Sequence, residues 1–257
     1  MTNWFSQVKL LEKRPGIFYH REGIKRMKKC MVLFSGGIDS TTALFWAKKT
    51  YDQVHALTFD YGQRHKIEIK QSRYLIKKIR IPQTILTLDM KQIKGSCLTD
   101  NSIPVPEYSP QKKKSPNLPS SYVPFRNGIL LSFAAAWGEV NGIYEIVCGF
   151  NVIDSPDYPD TRKEFVDAME TSINTGTSAS HSENTFKLKA PFIQKKKSEI
   201  IKWGLSQGAD YSHSISCYSG GEIPCLKCPA CHIRQKAWEE AGLKDHLIKR
   251  LEKEGKL

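Results

Sequence analysis

The stretch CMVLFSGGIDSTTALFWAKK, residues 30 to 49, decides the fold. Cys30 to Phe34 is an apolar run of strand length, Ser35-Gly36-Gly37 interrupts it, and from Ser40 to Lys49 the residues Ala43, Leu44 and Ala47 share one face of a helix. A strand that turns through glycines into a helix brings backbone N–H groups and the positive end of the helix dipole to one point. Gly36 and Gly37 carry no side chain to hold an anion away, and Ser35, Ser40 and Thr41 add hydroxyl donors. The spacing is neither a Walker A loop nor a GxGxxG fingerprint, and on spacing alone a tight turn with Ser40 as helix cap accounts for it equally well.

The alternation continues outward. Val54 to Phe59 reads as a second strand, Lys66 to Lys78 as a helix through Ile67, Tyr74 and Leu75, and Gln83 to Leu88 as a third strand. A helix from Asn127 to Val140 leads into a fourth strand, Tyr144 to Cys148; Phe165 to Ile173 is helical, Phe186 to Ala190 extended and Ser198 to Leu205 helical. Such alternation predicts parallel strands joined by crossovers: a doubly wound α/β sheet with its ligand site at the C-terminal ends of the strands. Between residues 90 and 124, Pro104, Pro106, Pro110, Pro116, Pro119 and Pro124 exclude regular structure over most of the stretch. It is expected to be a long loop, a mobile lid over a site.

At 257 residues the chain can bury a full core without staples, so its seven cysteines need another purpose. Their odd number, and a first thirty residues rich in lysine and arginine with no apolar leader, argue against a secreted disulfide scaffold and for the cytoplasm. The longest nearly apolar stretch, Ile129 to Trp137, falls well short of the roughly 18 residues of a membrane span, so no membrane partner is expected. The net charge of +13 favours anionic ligands. Much of the excess sits in residues 1 to 29, and the clusters Lys112 to Lys114 and Lys195 to Lys197 read as solvated faces, so nucleic acid is not the expected partner.

Cys217, Cys225, Cys228 and Cys231 place four thiols within fifteen residues. Four sulfurs at this spacing can close a tetrahedral zinc site that ties down a stretch too short and polar to fold alone. The last three also match the opening of a bacterial iron–sulfur run, although no fourth cysteine follows three residues later. Cys30 and Cys148 sit at strand ends as small apolar groups, and Cys97 falls in the proline-rich stretch, where it cannot be placed.

SGGIDSTT at Ser35 to Thr42 resembles the SGGxDS(S/T) loop of the ATP pyrophosphatases, the PP-loop or adenine nucleotide α-hydrolase-like enzymes that split ATP between its α and β phosphates. With it come LTFDYGQRH at Leu57 to His65, SYVPFRN at Ser121 to Asn127 and GFNVIDSPDYPDTR at Gly149 to Arg162. APFIQKKKSEI at Ala190 to Ile200, and SCYSG with CLKCPACHIR between Ser216 and Arg234, complete the set. In this order, over residues 28 to 240, the motifs resemble the QueC-type enzymes of queuosine biosynthesis, the 7-cyano-7-deazaguanine synthases. Phe125 departs from the smaller residue usual there, and SPDYPDT from the usual SGYPDC.

The resemblance implies a ligase that converts 7-carboxy-7-deazaguanine and ammonia into the nitrile, using ATP and Mg²⁺, with Zn²⁺ on the four cysteines and a homodimer as the assembly. It implies that Phe34, Ser35, Gly36, Gly37, Ile38, Asp39, Ser40, Thr41 and Thr42 cradle the nucleotide. Ser35, Asp39, Arg126 and Lys197 carry catalysis in this reading, with Asp60 and Tyr61 facing adenine or the guanine-like edge. Asp154, Asp160 and Arg162 are candidates for substrate or metal contact or for capping, and His65 for proton transfer or a loop role. The expected organisation is a basic extension over 1–27 with Met27 as a possible start, an ATP-binding catalytic domain over 28–212, and a zinc segment with a tail helix over 213–257. Two alternatives stand beside it: a PP-loop tRNA thiolase with an iron–sulfur centre, and a nucleotide- or zinc-binding module without turnover.

Overall fold

The structure, a computed structural model, describes residues 27–110, 118–153 and 157–257. Residues 1–26 of the extension, the cluster Lys112 to Lys114, and Asp154 lie outside the described residues. Five parallel strands form the sheet: β1 (Lys29–Leu33), β2 (Gln53–Asp60), β3 (Gln83–Thr87), β4 (Glu145–Val147) and β5 (Lys187–Lys189), in the order β3-β2-β1-β4-β5. Val32 of β1 pairs with Ala56 on one side and Val147 on the other. Strand order therefore reverses at β1, and a crevice opens beyond its C-terminal end.

After the exposed Lys29, β1 is apolar because the sheet is covered on both faces. Met31 and Leu33 point to one core layer, with α3 (Arg126–Asn141) and α4 (Lys163–Gly176). Cys30, Val32 and Phe34 point to the other, with α1 (Ile38–Thr50), α2 (Ile67–Ile79) and α5 (Lys197–Ser206). Cys30 and Cys148 are buried and burial pushes both thiols far up, as inert apolar groups behave.

The proline-rich stretch has no helix or strand among its described residues. It departs from the lid expectation because it is docked: Met90, Cys97, Leu98 and Val123 are buried in the main core. Arg64 also holds the carbonyls of Cys97 (3.0 Å), Asp100 (3.1 Å) and Ile103 (2.9 Å). A guanidinium spent on three carbonyls fixes a segment that has no ladder of its own.

The C-terminal segment holds two helices, α6 (Pro229–Ala241) and α7 (His246–Lys253). Trp238 and Ala241 of α6 pack with Ile38 and Phe45 of α1, and Leu247 and Leu251 of α7 with Ile215, Cys217, Cys228 and Cys231. No helix among the described residues is long and apolar enough to cross a membrane.

Candidate functional site

A cleft of about 340 Å³ opens at the C-terminal edge of the sheet. Its floor is the turn between β1 and α1. Gly36 has φ +87°, a conformation that a side chain would strain, and a Cβ there would meet Ser72 Cβ at 3.1 Å. Gly149, just past β4, approaches so closely that a Cβ would lie 2.7 Å from Ser40 N and Asp39 C. β4 is thus pressed against the first turn of α1. No side chain caps that helix, and Ser35 Oγ lies 3.1 Å from Ser40 Oγ, so free N–H groups and two hydroxyls share the floor.

A second helix start converges on the first. The Lys196 N–H donates to Glu199 at 2.8 Å, which fixes the entry to α5 and makes Lys197 its first residue. Lys197 Nζ reaches Asp39 Oδ2 at 2.5 Å across the cleft floor, while Asp39 Oδ1 is buried without a hydrogen-bond partner. An orphaned carboxylate oxygen beside an anion cradle is a donor that a hard divalent cation takes, so these residues fit Mg²⁺ in that respect.

The opposite wall is aromatic and hydroxylic. Asp160 accepts the Asn127 N–H (3.0 Å) and Asn127 Nδ2 donates to its carbonyl (3.1 Å), so Asp160 caps α3 rather than facing the cleft. The residue before that helix, Phe125, is held at φ 51°. This turn aims Arg126, whose Nη1 donates to the Tyr61 hydroxyl at 3.2 Å with the guanidinium over the ring. Burial works against the Arg126 charge, but Tyr61 and Asp160 outweigh it. Burial pushes the Tyr61 and Tyr218 hydroxyls up, so both remain neutral. Ser121 Oγ and Tyr158 OH meet at 2.7 Å beside Tyr218.

Of the residues singled out from sequence, Phe34, Ser35, Gly37, Ile38, Asp39, Ser40, Tyr61, His65, Arg126 and Lys197 line this one cleft. Gly36 shapes the floor from behind it, and Thr41 is fully buried. Three assignments need correction, the first being Thr41, whose buried hydroxyl has no partner and does not line the cleft. Thr42 is turned inward, donating to Ile38 O (3.0 Å) and meeting Tyr211 OH (2.6 Å), so its role is to brace α1. Asp60 does not line the cleft, because its carboxylate is taken by the Gly62 N–H (3.2 Å) and by Lys66 Nζ (3.1 Å). Sequence reasoning missed Glu68, Ser121, Tyr158, Tyr218 and Arg234, all on the cleft wall. Each sits inside a quoted motif or beside one, but no spacing rule marks a lone hydroxyl or carboxylate as cleft-facing.

The four cysteines come together at the C-terminal edge. Their sulfurs lie within 4.8 Å of one another, with Cys225 and Cys231 4.0 Å apart. A tetrahedral ion with sulfur bonds of about 2.3 Å needs sulfurs about 3.8 Å apart, so the set fits one metal ion. N–H groups of Cys225 and Cys228 point at Cys217 Sγ (3.3 Å) and Cys225 Sγ (3.4 Å). Hydrogen bonds from Cys228 and Cys231 favour the Cys217 thiolate. Cys217 lies between Ser216 and Tyr218 of the cleft wall, and Arg234 follows Cys231 on α6, so the metal set and the cleft share one wall.

The sequence model of the family described as Queuosine biosynthesis protein QueC matches residues 29–242. The chain is 45% identical over 221 residues to a 7-cyano-7-deazaguanine synthase of Clostridium kluyveri, covering 85% of this chain and 96% of that one. Synthases of the same name from Coxiella burnetii (39% over 222 residues, 85% and 96% covered) and Nostoc punctiforme (37% over 221 residues, 86% and 99% covered) are also similar. Among solved structures, a 4-thiouridine synthetase–RNA complex with bound ATP aligns at TM-score 0.47 and 18% identity, over 84% of this chain and 50% of that one, too distant to bear on function.

Proposed function

This chain belongs to the QueC family of queuosine biosynthesis proteins, and from that membership we propose that it converts 7-carboxy-7-deazaguanine, ammonia and ATP into 7-cyano-7-deazaguanine. The observation that carries the proposal is the single cleft in which the family's phosphate loop faces Arg126, Lys197 and an aromatic wall.

A carboxylate oxygen is a poor leaving group. It attacks the α-phosphate of ATP, the bond to pyrophosphate breaks, and an acyl-adenylate forms; ammonia adds to its carbonyl carbon and AMP departs with the oxygen. The amide oxygen then attacks a second ATP, pyrophosphate and one nitrogen-bound proton leave to give a neutral adenylated imidate, and loss of AMP with the second nitrogen-bound proton leaves the nitrile. Charge builds on pyrophosphate in both activations. The free N–H groups at the start of α1, with Ser35 and Ser40, receive that charge, while Lys197, oriented by Asp39, and Arg126 neutralise it. The free oxygen of Asp39 would hold Mg²⁺, which supplies further charge neutralisation when bound.

Cys217, Cys225, Cys228 and Cys231 would hold Zn²⁺ with all four positions filled, so its part is to fix the C-terminal segment. An iron–sulfur core between the sulfurs would hold them farther apart, which disfavours the thiolase alternative. A homodimer working in the cytoplasm without nucleic acid or membrane completes the proposal.

The test is incubation of the protein with the acid, ammonium, Mg²⁺ and ATP, followed by mass spectrometry. The nitrile should appear, with the amide rising and falling before it. Unchanged acid across pH and zinc supply would refute the proposal.

A further inference from the structure

The two halves of this reaction shed protons differently. When ammonia adds to the acyl-adenylate, the proton leaves an ammonium-like nitrogen that gives it up readily to water. Closing the nitrile breaks an N–H bond of a neutral adenylated imidate while the C–O bond to AMP breaks, and that step calls for a placed base.

The charged groups on the cleft wall are mostly engaged: Asp39 with Lys197, Arg126 with Tyr61, and Arg234 with Asp245. His65 differs. It lines the cleft, its Nε2 stands 3.4 Å from Glu68 Oε1, and its other nitrogen, Nδ1, is buried with no partner. Glu68 is fixed in turn, since Gln63 Nε2 donates to it at 3.1 Å. Gln63 is itself 1% exposed and anchored by Phe59 O (3.1 Å) and the Tyr61 N–H (2.8 Å). A base whose far nitrogen is oriented by a carboxylate, itself held by an amide, is how proton acceptors are built. The pair also adjoins the phosphate loop: a Cβ at Gly36 would lie 3.3 Å from Glu68 O.

Resting on the synthase reading above, we infer that His65 takes the last nitrogen-bound proton, with Glu68 as its positioning residue. The N–H electron pair becomes the second π bond between carbon and nitrogen, the C–O pair leaves with AMP, and the proton passes to the His65 imidazole, whose positive charge Glu68 faces. His65 is therefore specific to the second half of the reaction.

The experiment follows wild type, His65→Gln and Glu68→Gln in the full chain, starting separately from the acid and from 7-amido-7-deazaguanine, with AMP, amide and nitrile measured by mass spectrometry. His65→Gln should slow nitrile formation from amide roughly 10²- to 10⁴-fold more than it slows amide formation from acid. Glu68→Gln should raise the ratio of amide to nitrile by roughly tenfold, a partition that a merely structural lesion, slowing both halves together, does not change. Equal loss in both halves, or an unchanged second half, overturns the inference. If His65→Gln does not fold, the partition in Glu68→Gln decides. Wild type that makes no nitrile from either compound would instead refute the synthase reading.

Discussion

The two walls of the cleft are held up by different forces. The sheet wall, which carries Ser35 to Ser40, Arg126 and Lys197, rests on apolar layers above and below β1. In the C-terminal wall, which carries Ser216, Tyr218 and Arg234, the core cluster is Ile215, Cys217, Cys228, Cys231, Leu247 and Leu251, half of it thiols of the candidate metal set. Beside it lies the ion pair of Arg234 and Asp245, its two side chains 6% and 11% exposed. The sheet wall forms from the chain's own hydrophobicity; the other wall rests on four sulfurs placed to hold a metal ion and on a buried charge pair. Catalysis needs both, so the reaction is exposed to whatever weakens the second.

Removing a sulfur should break this comparison most severely. Cys228→Ser should lose metal, solubility and activity together, with metal falling from about one ion per chain to near none by elemental analysis. A Cys228→Ser protein that loses its metal and yet stays folded and active would mean that both walls stand on packing alone. Next in size is Arg234→Met, which leaves Asp245 buried without its partner and removes the bond to Ser214 O (2.9 Å). It should cost about 3–5 kcal/mol in chemical denaturation, far more than a surface charge change.

On the sheet wall the expected losses are chemical. Lys197→Met should cut pyrophosphate release in the first activation by roughly 10²- to 10³-fold, with the circular dichroism spectrum unchanged. The smallest effect has the opposite sign. Phe125 is held at φ 51° with its ring half exposed, packed edge-on to Phe165. Phe125→Asn, which tolerates this conformation, should stabilise the fold by at most about 1 kcal/mol in thermal unfolding.

The strands and helices of the sheet wall were legible because each is a local pattern: β1 is an apolar run ended by glycines, and α2 repeats its apolar face. The phosphate loop was legible for the same reason, and so were the four cysteines as a set. What escaped depends on meetings between distant residues. Nothing near Thr42 announces Tyr211, which is 169 residues away, whereas Asp60 is a local exception whose carboxylate is claimed by Gly62 and Lys66, two and six residues on. The proline-rich stretch reads as a lid because prolines report only that regular structure is excluded. That Arg64 anchors it is a tertiary fact. Asp245 lies eleven residues from Arg234, in a stretch whose polarity hides that the pair is buried.

The central claim is that one cleft adenylates an acid and then the amide made from it. It is tested most directly with 7-carboxy-7-deazaguanine labelled with ¹⁸O in both carboxylate positions, the nucleotides being recovered after complete conversion. The account predicts an unlabelled nitrile and two AMP molecules for each one formed, each carrying a single ¹⁸O on its phosphate. Label in pyrophosphate or in orthophosphate, or a nitrile formed with one AMP, would contradict it.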